Sequence, residues 1–240
     1  MITSVSNEKI KYIKKLKNNK FMNEEKKFIV ETPHLVEEAM KSGLLIETIS
    51  LEDVNYKVPN TIVSSNVMKT ISNLKSVPSV IGICNMISDN DKLGNKIIIL
   101  DGVQDPGNLG TIIRSANAFG FTDIILSIDC CNKYNDKVLR ATEGMVFNTN
   151  IITRDLISFI HLLKSLGYLV YGTNVVNGTN VKDVSNNNPL AIILGSEGKG
   201  VSKEVSNLVD KNIYINMNKT CESLNVAVAA SILMYELGNK

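Results

Sequence analysis

The chain has 240 residues, of which 44% are hydrophobic and 21% charged, with a formal net charge of +2. This is the balance of a globular protein of one large or two modest domains. No apolar run reaches the roughly 18 residues of a spanning helix, the N-terminus is too charged for a signal peptide, and the net charge alone does not indicate nucleic acid. The cysteines, Cys84, Cys130, Cys131 and Cys221, form no CxxC pair, and the histidines are His34 and His161. Neither a metal site nor a disulfide framework is expected, and reduced thiols point to the cytoplasm.

Residues 7–17 read as a short basic helix with Ile10, Ile13 and Leu16 on one side. Lys9, Lys11, Lys14, Lys15, Lys17 and Lys20 face only Glu8 in the first twenty residues. Such a stretch is either an arm that grips phosphates or a solvated helix face. Lys27–Glu31 reads as a strand. Pro33 opens a helix with Leu35, Val36 and Ala39 on its apolar face, and Gly43 ends it. Leu45–Leu51, Thr61–Ser64 and Val80–Asn85 read as strands, with a helix over 66–74 between the last two. Alternation of this kind indicates a small three-layer α/β unit over residues 1–88. Residues 89–95, polar and Gly-containing, read as a linker.

The second unit is expected over 96–240. Its candidate strands are Ile97–Leu100, Asp123–Ser127, Thr149–Thr153, Tyr168–Thr173, Ala191–Leu194 and Ile213–Met217. Candidate helices cover roughly 109–119, 135–144, 155–166, 202–209 and 222–237. The pattern favours a mainly parallel sheet covered on both faces. Three stretches stand out. DGVQDPGNLGTIIRSANAFG (Asp101–Gly120) is a polar loop between strand and helix, with Asn108 and Arg114 near the junction. AIILGSEGKG (Ala191–Gly200) runs a strand into a Gly-rich loop, where glycines allow a ligand close to the backbone or simply make a tight turn. The loop matches neither GxGxxG nor a P-loop, since Val201 and Ser202 follow Gly200. That counts against a dinucleotide oxidoreductase. INMNKTCESLNVAVAA (Ile215–Ala230) leads through Ser223, Leu224 and Asn225 into an Ala-rich helix, at the end where free backbone N–H groups gather.

Together, in this order and spacing, these stretches closely resemble the three motifs of the SpoU/TrmH family, the ribose 2′-O-methyltransferases of the SPOUT superfamily. The front also matches: ITSVSNEKIKYIKKL, FIVETPHLVEEAM and ISNLKSVPSVIGI resemble the ribosomal-L30-like substrate-binding domain of the longer members. The family usually has Glu-Gly where this chain has Glu31-Thr32, Pro at the position of Asn216 and Gly near Lys219. The resemblance implies an α/β SPOUT fold with a C-terminal trefoil knot. It implies an S-adenosylmethionine cofactor held by Thr173, Gly195, Ile215, Met217, Leu224 and Asn225, and no metal. It assigns catalysis to Arg114, with Asn108, Glu197 and Asn225 around it. It implies a homodimer acting on RNA, with ribosomal RNA ahead of transfer RNA. A noncatalytic RNA-binding protein that keeps the fold is the competing reading.

Overall fold

The computed structural model describes residues 1–174, 177–185, 189–218 and 220–238, so Lys219 lies outside the described residues. The chain forms two compact units, one of residues 1–88 with 134–147 and one of 89–133 with 148–240.

In the first unit the helices are α1 (Glu8–Lys15), α2 (Asn19–Glu25), α3 (Pro33–Lys41), α4 (Ser65–Ile71) and, from the later segment, α6 (Asp136–Ala141). The strands are β1 (Lys27–Glu31), β2 (Leu45–Ser50), β3 (Asn60–Ile62) and β4 (Val80–Asn85), in the order β1-β4-β2-β3. β4 is antiparallel to both β1 and β2, and β2 is parallel to β3. Alternation along β4 sends Ile81 and Ile83 into a core with Ile10, Ile13 and Leu16 of the first helical segment and Val67, Met68 and Ile71 of α4. Gly82 faces the other way, where a Cβ would meet Val30 and Val36 side chains within 3.2 Å. On that face Phe28 is fully buried, and its ring packs on Tyr134 at 4.5 Å and Phe147 at 6.3 Å. The sequence reading had no sign of this excursion, because contacts over more than a hundred residues leave no local periodicity.

The helix expected over 7–17 is α1, which ends at Lys15 with Leu16 as its C-cap. α2 was not foreseen; Asn18 caps it, its side chain accepting from Lys20 and Phe21 N–H groups. At Thr32, where the resemblance implies Gly, the Oγ1 accepts from Leu35 N at 3.2 Å, capping α3 as Gly could not. The basic stretch is also less free than it reads. Lys9 pairs with Glu47, Lys11 with Glu8 at 2.7 Å and Lys17 with buried Glu31 at 3.4 Å. Burial pushes the Lys17 ammonium down and Glu31 opposes the shift. Among the described residues Lys14 and Lys20 have no carboxylate partner, and Lys15 lies over the Phe21 ring at 5.9 Å.

The second unit holds β5 (Lys96–Asp101), β6 (Asp123–Leu126), β7 (Asn150–Thr153), β8 (Leu169–Thr173), β9 (Gly178–Asn180), β10 (Leu190–Gly195) and β11 (Lys211–Tyr214). Its helices are α5 (Pro106–Ala118), α7 (Leu156–Ser165), α8 (Lys203–Ser206) and α9 (Val226–Gly238). The order is β7-β6-β5-β10-β8-β11-β9, and every pairing among the described residues is parallel. Ile97, Ile99, Ile125, Ala191 and Ile193 build one core with Leu156, Phe159, Ile160 and Leu163 of α7. α5 packs against β6 and α9 against β10, and these two helices touch each other. Ser115 and Ser231 hydroxyls meet there at 2.8 Å, so the small-residue face of α9 is used within the chain.

Three expectations shift. The strand expected over 213–217 is β11, which stops at Tyr214, leaving Ile215 and Met217 in the loop. α9 starts at Val226 rather than 222. β9 is only three residues long, too short for an alternation to register. Residues 89–95 belong to the second unit. Asp89 and Asp91 both pair with Arg154, at 3.0 and 3.3 Å, and Gly94 N–H donates to Asp123 at 2.9 Å.

Candidate active site

β5 ends on Asp101 and β10 on Gly195, and the two are paired in register. From β5 the chain continues to β6 and β7 on one side, whereas β8, β11 and β9 lie beyond β10. The strand order therefore reverses between β5 and β10, where an open α/β sheet leaves a crevice at its carboxyl ends.

Three loops converge there. After β5, Asp105 caps α5 by accepting from Asn108 N at 2.8 Å, and Pro106 supplies the preset first turn. After β10, the chain folds back on itself, with Gly200 N–H donating to Ser196 O at 2.8 Å. Ser202 N–H donates to the Asp101 carboxylate at 2.8 Å and ties this loop to the end of β5. Before α9, Asn225 Oδ1 accepts from Ala227 and Val228 N–H groups at 3.0 and 3.3 Å. That capping fixes which way its amide points. Its Nδ2 donates to Asn108 Oδ1 at 3.0 Å and to Glu197 Oε1 at 2.5 Å. Asn108 Nδ2 closes the triangle on Glu197 Oε1 at 2.9 Å. Residues separated by up to 117 positions thus form one hydrogen-bonded cluster.

Arg114 does not join it. It lies six residues beyond Asn108, about 9 Å along the α5 axis, and exposed. Among the described residues it has no hydrogen bond or ion pair, and it lines neither cleft of the site.

Of these clefts, the first is about 510 Å³ and is lined by all six residues expected to hold a cofactor, Thr173, Gly195, Ile215, Met217, Leu224 and Asn225. Its walls are largely apolar, with Ile213, Val226 and Leu233 contributing, and its sole carboxylate or ammonium-bearing residue among those described is Glu197. The size suits a nucleoside-sized ligand. The second, about 710 Å³, is polar and is lined by Asp101, Gln104, Asp105, Asn108, Asp129 and Lys199 among others. Ser196, Glu197, Gly200 and Val226 belong to both.

Of the two readings of the Gly-rich loop, ligand approach or a tight turn, the backbone at 195 requires glycine for the turn. A Cβ there would lie 2.0–2.1 Å from the Gly200 carbonyl and Val201 N, so the contact that excludes a side chain is with the loop's own backbone. Gly200 itself has φ +67°, a left-handed conformation that favours glycine. Sequence reasoning did not single out Ser196, Tyr214, Val226, Ala229 or Leu233 as cleft residues. Nor did it find the Asp101 clasp, although an acidic residue ending an apolar strand was a readable signal.

Comparison with known proteins agrees with this architecture. The model of the SpoU rRNA Methylase family matches residues 95–235, and that of the MRM3-like substrate binding domain matches residues 7–82. Over 244 aligned residues the chain is 34% identical to the 23S rRNA (guanosine(2553)-2'-O)-methyltransferase RlmP of Bacillus subtilis (strain 168), covering 98% of each. The solved structure of an AdoMet-bound rRNA methyltransferase from Sinorhizobium meliloti superposes with a TM-score of 0.88 at 27% identity, over 98% of this chain and 95% of that one. A TrmH-family RNA methyltransferase structure from Porphyromonas gingivalis gives 0.87 at 26% identity, over 97% and 98%. With both units matched and the whole chain aligned to a relative, this protein belongs to the SpoU rRNA methylase family and carries an N-terminal substrate-binding domain.

Proposed function

We propose that this protein transfers a methyl group from S-adenosylmethionine to a ribose 2′-hydroxyl of RNA, with ribosomal RNA as the substrate. The carrying observation is the Asn108–Glu197–Asn225 cluster, set where an apolar cleft and a polar cleft share a wall. The apolar cleft suits the adenosyl group, and the polar cleft suits the acceptor nucleotide. The preference for ribosomal RNA is supported by the likeness to a 23S rRNA enzyme along the full chain.

Bound cofactor would supply an electrophilic methyl on sulfur. The chain must then orient the hydroxyl and receive its proton. Asn225, fixed by capping α9, and Asn108, whose Oδ1 accepts from Asn225 Nδ2, hold Glu197 through one oxygen, Oε1. Among the described residues Oε2 carries no hydrogen bond, and it is the atom we assign to receive the hydroxyl proton. With that cofactor bound, these residues would hold the hydroxyl for transfer, and the proton it gives up would rest on Glu197 Oε2. Arg114 stands apart from this cluster along α5. Its unpaired, exposed guanidinium is a fork for an RNA phosphate beside the acceptor ribose.

The same proposal includes a trefoil-knotted C-terminus. It rests on the family to which the chain belongs. It includes a cytoplasmic enzyme, in keeping with four unbridged cysteines. It also includes a homodimer. Since Ser231 bonds Ser115 within the chain, the exposed Val228 and Tyr235 of α9 are its contact residues. Light scattering should give twice the chain mass, and Val228→Glu should halve it. A monomer at micromolar concentration removes the dimer.

The functional test is mapping of 2′-O-methyl positions in total RNA with and without this protein. One ribosomal position should lose its methyl group and regain it on complementation. Loss at a transfer RNA position would reassign the substrate, and an unchanged map would overturn the activity.

RNA affinity should draw on the lysines that have no carboxylate partner. Replacing Lys14, Lys15 and Lys20 by Ala should lower the slope of log affinity against log salt by up to roughly 2–3, at about 0.7–0.9 per lost phosphate contact. Lys11→Ala, which frees Glu8, should change it less. Equal slopes in all variants would make the stretch a solvated face.

A further inference from the structure

We infer that Glu197 discriminates the charged cofactor from its neutral product, so that loss of the methyl group also weakens the hold on the spent cofactor. The inference rests on the proposed reading that the apolar cleft takes S-adenosylmethionine.

Apart from Glu197, the residue that carries a full charge among those described, the cleft is lined by aliphatic side chains, the Met217 thioether, the Tyr214 ring and neutral hydroxyls, amides and backbone. A sulfonium entering such a site gives up water, and an apolar wall cannot replace it. A carboxylate can, and a thioether needs no such replacement. Glu197 is held in place for this task. Two amide N–H groups fix Oε1, and the amides are themselves oriented, Asn225 by the α9 cap and Asn108 by accepting from Asn225 Nδ2 at its Oδ1. Oε2 has no hydrogen bond among the described residues. Glu197 also belongs to the wall shared by both clefts, which is where a methyl group passing from one ligand to the other must lie.

The consequence concerns turnover. Before transfer, the carboxylate faces a cation. After transfer, the sulfur is a neutral thioether and the carboxylate holds the proton released by the hydroxyl. The attraction that favoured the loaded cofactor has then vanished from both partners, and product release is a step that commonly limits enzyme rates.

The test needs no methyl transfer. Calorimetric titration without RNA would compare S-adenosylmethionine with S-adenosylhomocysteine on the parent protein, Glu197→Gln and Glu197→Asp. Glu197→Gln keeps the shape and an acceptor oxygen but removes the charge. The ratio of the thioether Kd to the sulfonium Kd should fall roughly three- to tenfold, through weaker sulfonium binding, with thioether affinity unchanged. Glu197→Asp, which keeps the charge, should recover part of the ratio. An equal ratio in parent and Glu197→Gln overturns the inference while leaving the proposed function standing. Equal weakening of both ligands also overturns it, since the residue would then only shape the cleft. Failure of the parent to bind either ligand removes the proposed function itself. Circular dichroism and thermal melting of each variant should match the parent, because Glu197 is exposed.

Discussion

Arg114→Ala should lower methyl transfer by about 10²–10³-fold, the usual cost of removing one oriented charged donor, while leaving S-adenosylmethionine affinity unchanged. The second half of that expectation comes from the geometry. Arg114 lines neither cleft, and among the described residues it bonds to nothing that does. Folding should be unaffected as well, because the side chain is exposed and alanine is the best helix former for a position within α5. Arg114→Lys should recover little, since a point charge does not reproduce a planar fork. Single-turnover rates, calorimetry with the cofactor and RNA binding would be measured together. Near-parent rates would remove Arg114 from the reaction and leave it to Asn108, Glu197 and Asn225. Loss of cofactor affinity with an intact fold would place Arg114 in the cofactor site instead.

Gly195→Ala should fail in the opposite way, losing cofactor binding by more than about 100-fold and carrying the rate down with it. A single methyl group would stand 2.0–2.1 Å from the Gly200 carbonyl and Val201 N, and backbone cannot rotate aside as a side chain can. The loop would have to open. It is held by the Ser196–Gly200 hydrogen bond and by the Asp101 clasp on Ser202, so opening loosens the end of β10 against β5. Overpacking of this kind costs roughly 1–3 kcal/mol, which should lower Tm by about 2–4 °C per kcal/mol for a chain of this size. Gly198→Ala is the control, because a Cβ there meets nothing within 4 Å. It should bind cofactor within a few-fold of the parent. Parent-like binding by Gly195→Ala would show that the loop tolerates opening and that its closed form is not the binding form.

The sequence by itself determined the element types and the motif residues. Continuous apolar runs such as Ile97–Leu100 and Ala191–Leu194 announced strands buried on both faces, and both lie at the centre of the second sheet. The six residues named for a cofactor line one apolar cleft, and it was motif resemblance rather than periodicity that named them. Boundaries near functional loops were less so. Ile215 and Met217 look like strand residues, yet the chain leaves the sheet at Tyr214, because pairing with β8 and β9 ends there.

Tertiary structure alone decided how the motif residues combine. Asn108, Glu197 and Asn225 meet because strand order reverses between β5 and β10, a fact about topology that no local window contains. It separated Arg114 from them, by turning it out along α5. It gave Lys9 and Lys17 carboxylate partners, Glu47 and Glu31, that are distant in the chain, and so reduced the basic arm to fewer free charges. It also decided between the two readings open for the glycine at 195, requiring it for the closure of its own loop. The physical reason is common to all four. Propensity and hydrophobic period act over a few residues, whereas hydrogen bonds, ion pairs and close packing depend on which distant segments the sheet brings together.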